Sequence, residues 1–194
     1  MKTLIEFQNY YYEHLCNRSF VFETDIGRIV LRFSKSNFAH LIGLHHFDSS
    51  YKGQLAWNQI ANGSIDLKKL KKSNNNLYKN TLLPRIDVID KVLGVFNNTK
   101  TIKKFKKLEK CNKGFDCDFV FYDNIKKQYY VITCFIDKNT KSYCSAASFL
   151  KFYNGDFKVM KYINPSNPEI RIYEYKIMDA KVYNDINFEK FEML

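Results

Sequence analysis

The sequence predicts an α+β fold, a mainly helical N-terminal half followed by an antiparallel β-sheet. Three observations predict it. Through residues 1–98 apolar side chains recur at three- and four-residue steps, with one alternating stretch near 19–34. From Thr99 to about residue 180 the pattern changes to period two, broken by Asn, Asp, Gly and Pro turns. No Gly-rich phosphate loop, dinucleotide fingerprint or internal repeat is present, and helices precede strands in the α+β manner. At 194 residues, with 45% hydrophobic and 16% aromatic content, the chain suits a single domain over 1–194 with one core.

The elements follow in order. In "TLIEFQNYYYEHLCNR", Leu4, Phe7, Tyr11 and Leu15 form the stripe of an amphipathic helix. "SFVFETDIGRIVLRFS" alternates around Asp25-Ile26-Gly27, a β-hairpin with Arg28 and Arg32 on one face. Ser36 or Asn37 is placed to cap a short helix through "FAHLIGL", which Gly43 ends in a left-handed conformation. "GQLAWNQIANG" is a second helix with a terminal Gly63, and "DLKKLKKSNNNLYKN" starts helical before dissolving into a loop at 73–80. "LPRIDVIDKVLGVF" reads as one helix, with Pro84 in its first turn and Ile86, Ile89 and Leu93 buried. Strands are expected in "TIKKFKKLEK" (which also fits helical spacing), "DFVFYDN", "QYYVITCFID", "YCSAASFLKF", "FKVMKYI" and "IRIYEYKIM".

The formal net charge of +11 favours a polyanionic partner, with nucleic acid first. Five cysteines, odd in number and without a CxxC pair, argue against a disulfide framework and for a reducing cytoplasm. The N-terminal stretch lacks the apolar segment of a signal peptide, and no run approaches the roughly 18 apolar residues of a membrane span. No membrane partner is expected.

Two lysine runs hold much of the excess charge: Lys68, Lys69, Lys71 and Lys72, then Lys103, Lys104, Lys106 and Lys107. Lysine is a flexible point charge, suited to phosphates and poor at reading bases. The runs are candidate nucleic-acid contacts, or solvated faces with no further role.

Three of the four histidines fall in "NFAHLIGLHHF": His40, His45 and His46. A five-residue step on a continuous helix separates two rings by about 140°, too far apart for one metal, and no HExxH pattern exists. No metal and no other cofactor is expected. Acid–base chemistry matches better. RNA can be cut without a metal when its own 2′-hydroxyl attacks the phosphate, given a base, an acid and a cation. Histidine performs either proton step near neutral pH. If Gly43 breaks the helix, His45 or His46 can turn towards the same cleft as His40; otherwise they are ordinary packed and loop residues.

These residues carry a resemblance. "LRFSKSNFAHLIGLHHF" resembles the F-x-HL-x-GLH motif of the phage-associated Barnase–EndoU–colicin–RelE-like (BECR) nucleases, with Phe38, His40, Leu41, Gly43, Leu44 and His45 matching. The basic strand "IVLRF" and the small-Ser-Phe pattern at Ala147, Ser148 and Phe149 match in the same order, although Ala146 stands where that family often has proline. The resemblance implies a helical part followed by a curved antiparallel sheet, and a metal-independent endoribonuclease. It implies His40 and His45 as acid and base, and Arg32 and Ser148 as phosphate ligands. It also implies a toxin, or a phage or defence effector, of a mobile element, acting on RNA and restrained by an acidic antitoxin or immunity protein. The rival reading is a non-catalytic nucleic-acid- or protein-binding module, such as a phage-encoded inhibitor or a nuclease fold without activity.

Overall fold

Residues 2–105, 117–138 and 143–179 are described by a computed structural model. Helix α1 (Leu4–Tyr11) starts at a capping box: the Thr3 side chain accepts from the Glu6 amide, and the Glu6 carboxylate accepts from the Thr3 amide. It runs into a π-helical turn, Tyr12–Cys16, and the stripe of Leu4, Tyr11 and Leu15 is buried. Strands β1 (Arg18–Thr24) and β2 (Gly27–Arg32) form the expected hairpin, in register from Ser19↔Arg32 to Thr24↔Gly27. Helix α2 (Lys35–Leu41) follows, then a 3-10 turn (Leu44–His46) and α3 (Gly53–Ala61). The expected caps of α2 lie inside it. Ser34 holds the cap position with extended backbone, because the Ser36 hydroxyl bonds Ser34 Oγ and the Asn37 amide reaches the Ala146 carbonyl.

The stretch expected to be a loop is mostly helical. Helix α4 (Leu67–Ser73) is capped by Asp66, and only Asn74 separates it from α5 (Asn75–Leu77), a π-helical turn (Tyr78–Leu82) and α6 (Leu83–Ile89). Asn74 caps the next segment through Leu77 N–H, Asn80 bonds Asn76 one turn back, and Tyr78 and Leu82 enter the core. Local amide bonds plus two buried anchors outweigh the low helix propensity of asparagine. The single helix expected across 83–96 is two: the chain turns at Asp90-Lys91, and α7 (Val92–Asn98) buries Val92, Val95 and Phe96 while Leu93 is only partly buried.

Strands β3 (Thr101–Lys104), β4 (Phe119–Ile125), β5 (Gln128–Ile136) and β6 (Cys144–Tyr153) follow, so the ambiguous lysine-rich segment is a strand where it is described. "FKVMKYI" is not a strand. Gly155 at φ +88° and an Asp156 cap on Lys158 N–H start a 3-10 turn (Phe157–Val159) and α8 (Met160–Ile163). The long strand β7 (Glu169–Asp179) ends the described chain.

The sheet is a closed barrel, not an open curved sheet, in the order β1-β2-β6-β5-β4-β3-β7 and back to β1. Strand β7 closes it because its 11 residues pair with β3 at one end (Thr101↔Arg171) and with β1 along the other (Phe22↔Tyr175). Nor is the sheet wholly antiparallel: β2 joins β6 in parallel, through Leu31↔Cys144 and Arg32↔Ser145 alone. Between Thr133 and Cys134 the β5–β6 register shifts, leaving Ala147 as an extra residue on β6.

The inner strand faces and the helices share the main core. Its centre is Phe96 on α7, whose ring lies 5.1 Å from Phe20, 5.5 Å from Phe22, 5.4 Å from Phe121 and 6.1 Å from Tyr175. These partners come from β1, β4 and β7. On the opposite face Val120 and Val131 pack with Leu150, Phe152, Val159 and Tyr162, so the segment 157–163 roofs that side. Among the described residues no helix is long and apolar enough to cross a membrane. Phe96→Ala should lower the unfolding free energy by about 3–5 kcal/mol, the usual cost of emptying a buried aromatic site. Urea denaturation measures this; a loss below about 1 kcal/mol would show that Phe96 does not hold the barrel together.

Candidate functional site

The site begins with the end of α2. Ile42 closes the helix, and Gly43 takes φ +81°, the left-handed conformation that glycine adopts without a side-chain clash. Space is tight there as well. A Cβ at Gly43 would sit 3.0 Å from Thr81 Cγ2, 3.2 Å from Arg85 Cδ and 3.3 Å from His46 Cδ2. The chain therefore reverses tightly against the π-helical turn and α6, and the next residues coil into the 3-10 turn.

That reversal brings together rings a continuous helix would splay. His40 and His45 stack with centroids 4.4 Å apart and planes 14° from parallel, and His46 lies 4.1 Å beyond His45. His40 and His46 are exposed, whereas His45 is half-buried and its Nδ1 has no hydrogen-bond partner. Arg85 lies against the same turn, its Nη1 3.5 Å from the carbonyl oxygens of His40 and Leu41 at the end of α2.

Electrostatics separates the three histidines. Burial, with Arg85 nearby, lowers His40 and His46 below the ordinary histidine value, and the charge on His40 adds to the effect on His46. His45 is pushed down to about 4, first by burial, then by the positive charges of His40, His46 and Arg85. Protonating His45 would leave a buried N–H without an acceptor, which acts in the same direction. Charge on His40 is among the causes that depress His45, so the stacked pair resists carrying two protons at once.

The other expected residues lie on strands β2 and β6. Arg32 donates from Nε to Ser19 Oγ at 3.1 Å and places its guanidinium 5.0 Å from the Tyr143 ring. Ser148 pairs with Thr133 on β5, on the face opposite the neighbouring core residue Phe149. The cation beside the histidines is Arg85, which the sequence reading passed over. A clue was available, since Arg85 interrupts the apolar stripe of "LPRIDVID". Two residues on, Asp87 pairs with Lys151 Nζ at 2.5 Å and accepts from Tyr130 Oη at 3.2 Å, joining α6 to β5 and β6.

The lysines also divide. Lys68, Lys71 and Lys72 line one shallow concavity with Asn75. Lys69 turns back, donating to the Gly63 and Ser64 carbonyls. Lys103 is a correction: it is buried and paired with Glu169 at 2.5 Å, so its ammonium is not part of a surface track. Lys104 is exposed, and Lys106 and Lys107 lie outside the described residues. Among the described residues no three His, Cys, Asp or Glu side chains converge in a metal-binding cluster.

The sequence model of a family described as phage-Barnase-EndoU-ColicinE5/D-RelE like nuclease4 matches residues 3–190, nearly the whole chain. No curated protein and no solved structure matches.

Gly43→Ala should cost at least about 1–2 kcal/mol from the left-handed backbone alone. Urea unfolding measures it, and an unchanged midpoint would mean the tight reversal is dispensable. His45 also makes stability pH-dependent. Its folded pKa of about 4 lies below the ordinary 6.5, so between those values the unfolded chain binds the extra proton. The contribution is complete above 6.5 and is lost as pH falls towards 4. His45→Gln should flatten that decline in denaturation midpoints across the window; parallel curves for the two proteins would rule it out.

Proposed function

Because the chain belongs to the phage-Barnase-EndoU-ColicinE5/D-RelE like nuclease family, we propose that it cuts RNA through attack by the substrate's own 2′-hydroxyl, with His45 as base and His40 as acid. The observation that carries this reading is the parallel stack of His40 on His45 beside Arg85. Two titrating groups whose environments pull their pKa values apart are suited to opposite proton transfers. His45 stays neutral to about pH 4 and accepts the 2′-hydroxyl proton. The freed oxygen attacks phosphorus, the bond to the 5′-oxygen breaks, and His40 returns a proton to that leaving oxygen. The products are a 2′,3′-cyclic phosphate and a 5′-hydroxyl end.

The phosphate role implied for Arg32 is assigned here to Arg85. Its guanidinium remains charged even though burial lowers its pKa. It lies against the histidine turn, where negative charge on the equatorial oxygens would develop. Ser148 is kept as a secondary candidate for substrate contact. Lys68, Lys71 and Lys72 would guide the polyanion by long-range attraction. An RNase active in its own cell must be restrained, so an acidic antitoxin or immunity protein covering the histidine turn is the expected companion of a toxin or phage effector.

Purified protein should cleave total RNA in EDTA, and mapped fragments should end in cyclic phosphate and 5′-hydroxyl. Intact RNA, or cleavage that EDTA abolishes, would overturn the mechanism. His40→Ala and His45→Ala should each reduce the rate by about 10²-fold or more, and Arg85→Gln by about 10²-fold. Wild-type rates in any of the three would remove that residue from the chemistry. The pH profile of kcat/KM should rise through about 4 as His45 loses its proton, then fall below the ordinary histidine value of 6.5 as His40 loses its own. A profile still rising above pH 7 would refute the division of roles.

A further inference from the structure

At one end of the barrel the turn between β4 and β5 is made by Lys126 and Lys127, both left-handed at φ 51° and 62°. Two-residue hairpin turns of this geometry ordinarily use asparagine and glycine, because a side chain there is strained. This chain instead projects two exposed ammonium groups from the tip. The end of β6 lies directly alongside. Gln128 pairs with Tyr153, and Asn154 N–H donates to the Lys127 carbonyl at 2.9 Å. Tyr153 is 67% exposed and Phe157, four residues on, 75% exposed, the two most exposed large apolar side chains among the described residues. Lys158 beside them is also exposed. Asp156, the acid nearest in sequence, is occupied in capping the Lys158 amide.

Two features tie this tip to the histidine turn. Lys151, whose ammonium lies 6.0 Å from the Tyr153 ring, holds Asp87 on α6 two residues from Arg85. Tyr162, in the short helix after Phe157, lies close enough to Arg85 for each to shift the other's proton affinity.

We propose that this tip is a binding platform for single-stranded RNA flanking the cleaved bond: bases stack on Tyr153 and Phe157, and Lys126, Lys127 and Lys158 hold the phosphates. The proposal rests on the nuclease reading for the identity of the ligand. Exposed aromatic rings interleaved with lysines suit unpaired bases, whose faces are free to stack, better than a duplex, whose faces are covered. An acidic protein would use the lysines and leave the rings without a role.

The test separates binding from cleavage. A fluorescent 2′-O-methyl oligouridine lacks the attacking hydroxyl, so its affinity is read by anisotropy whether or not the protein is a nuclease. Tyr153→Ala and Phe157→Ala should each weaken binding about 10-fold, in line with loss of one stacked base. Tyr153→Phe and Phe157→Tyr should restore it. The double variant Lys126→Gln, Lys127→Gln should flatten the dependence of log affinity on log salt by about 1.4, at roughly 0.7 per lost phosphate contact. Cleavage of a dinucleotide too short to reach the tip should be unchanged in all these variants. Unchanged oligouridine affinity in both alanine variants would overturn the platform. So would an equal loss for a duplex, or lysine-dependent binding of polyglutamate together with ring-independent binding of the oligonucleotide. If the alanine variants lose affinity while wild-type protein leaves RNA uncut, the platform stands and the nuclease reading falls.

Discussion

The barrel depends on having something to close around, and that object is Phe96. Seven strands joined at one point by a two-residue parallel seam would have little to hold them in a ring. The ring of Phe96, surrounded by Phe20, Phe22, Phe121 and Tyr175, ties β1, β4 and β7 to one helix. With α7 fixed in the barrel, α6 just before it is held against β6, where Asp87 grips Lys151. That places Thr81 and Arg85 close against Gly43 at the end of α2, where an added Cβ would crowd both. The histidine stack is the last link in this sequence of contacts.

The same chain of contacts explains the electrostatics. Packing brings three imidazoles and a guanidinium onto one turn, so each positive charge discourages the next. A carboxylate at that turn would have raised the histidine pKa values and erased the difference between them. In the described structure no acid is among the groups that shift His40, His45 or His46. A site of this kind is short of negative charge.

Several elements were legible from short-range pattern. The hairpin followed from alternation around Asp25-Ile26-Gly27, and Gly43 was marked as a left-handed stop by its position after "FAHLI". Misreadings arose where local preference met a distant partner. In the asparagine run, Asn75 and Asn76 are helical because Tyr78 and Leu82 are anchored in the core. "FKVMKYI" alternates like a strand yet roofs the outer face of β4–β6 as a 3-10 turn and short helix. Lys103 reads as surface charge but sits buried against Glu169, which is 66 positions away.

What the sequence determined by itself was chemical inventory and local geometry: a strongly basic chain, a motif with two histidines either side of a glycine, and the reversal that glycine imposes. Those are properties of residues within a few positions of one another. Barrel closure, the parallel seam, the choice of Arg85 as the cation beside the histidines and the unequal proton affinities of His40 and His45 were decided only by tertiary structure. Each depends on the distance between groups separated by tens of residues, and on the burial those contacts create. A linear pattern carries neither quantity.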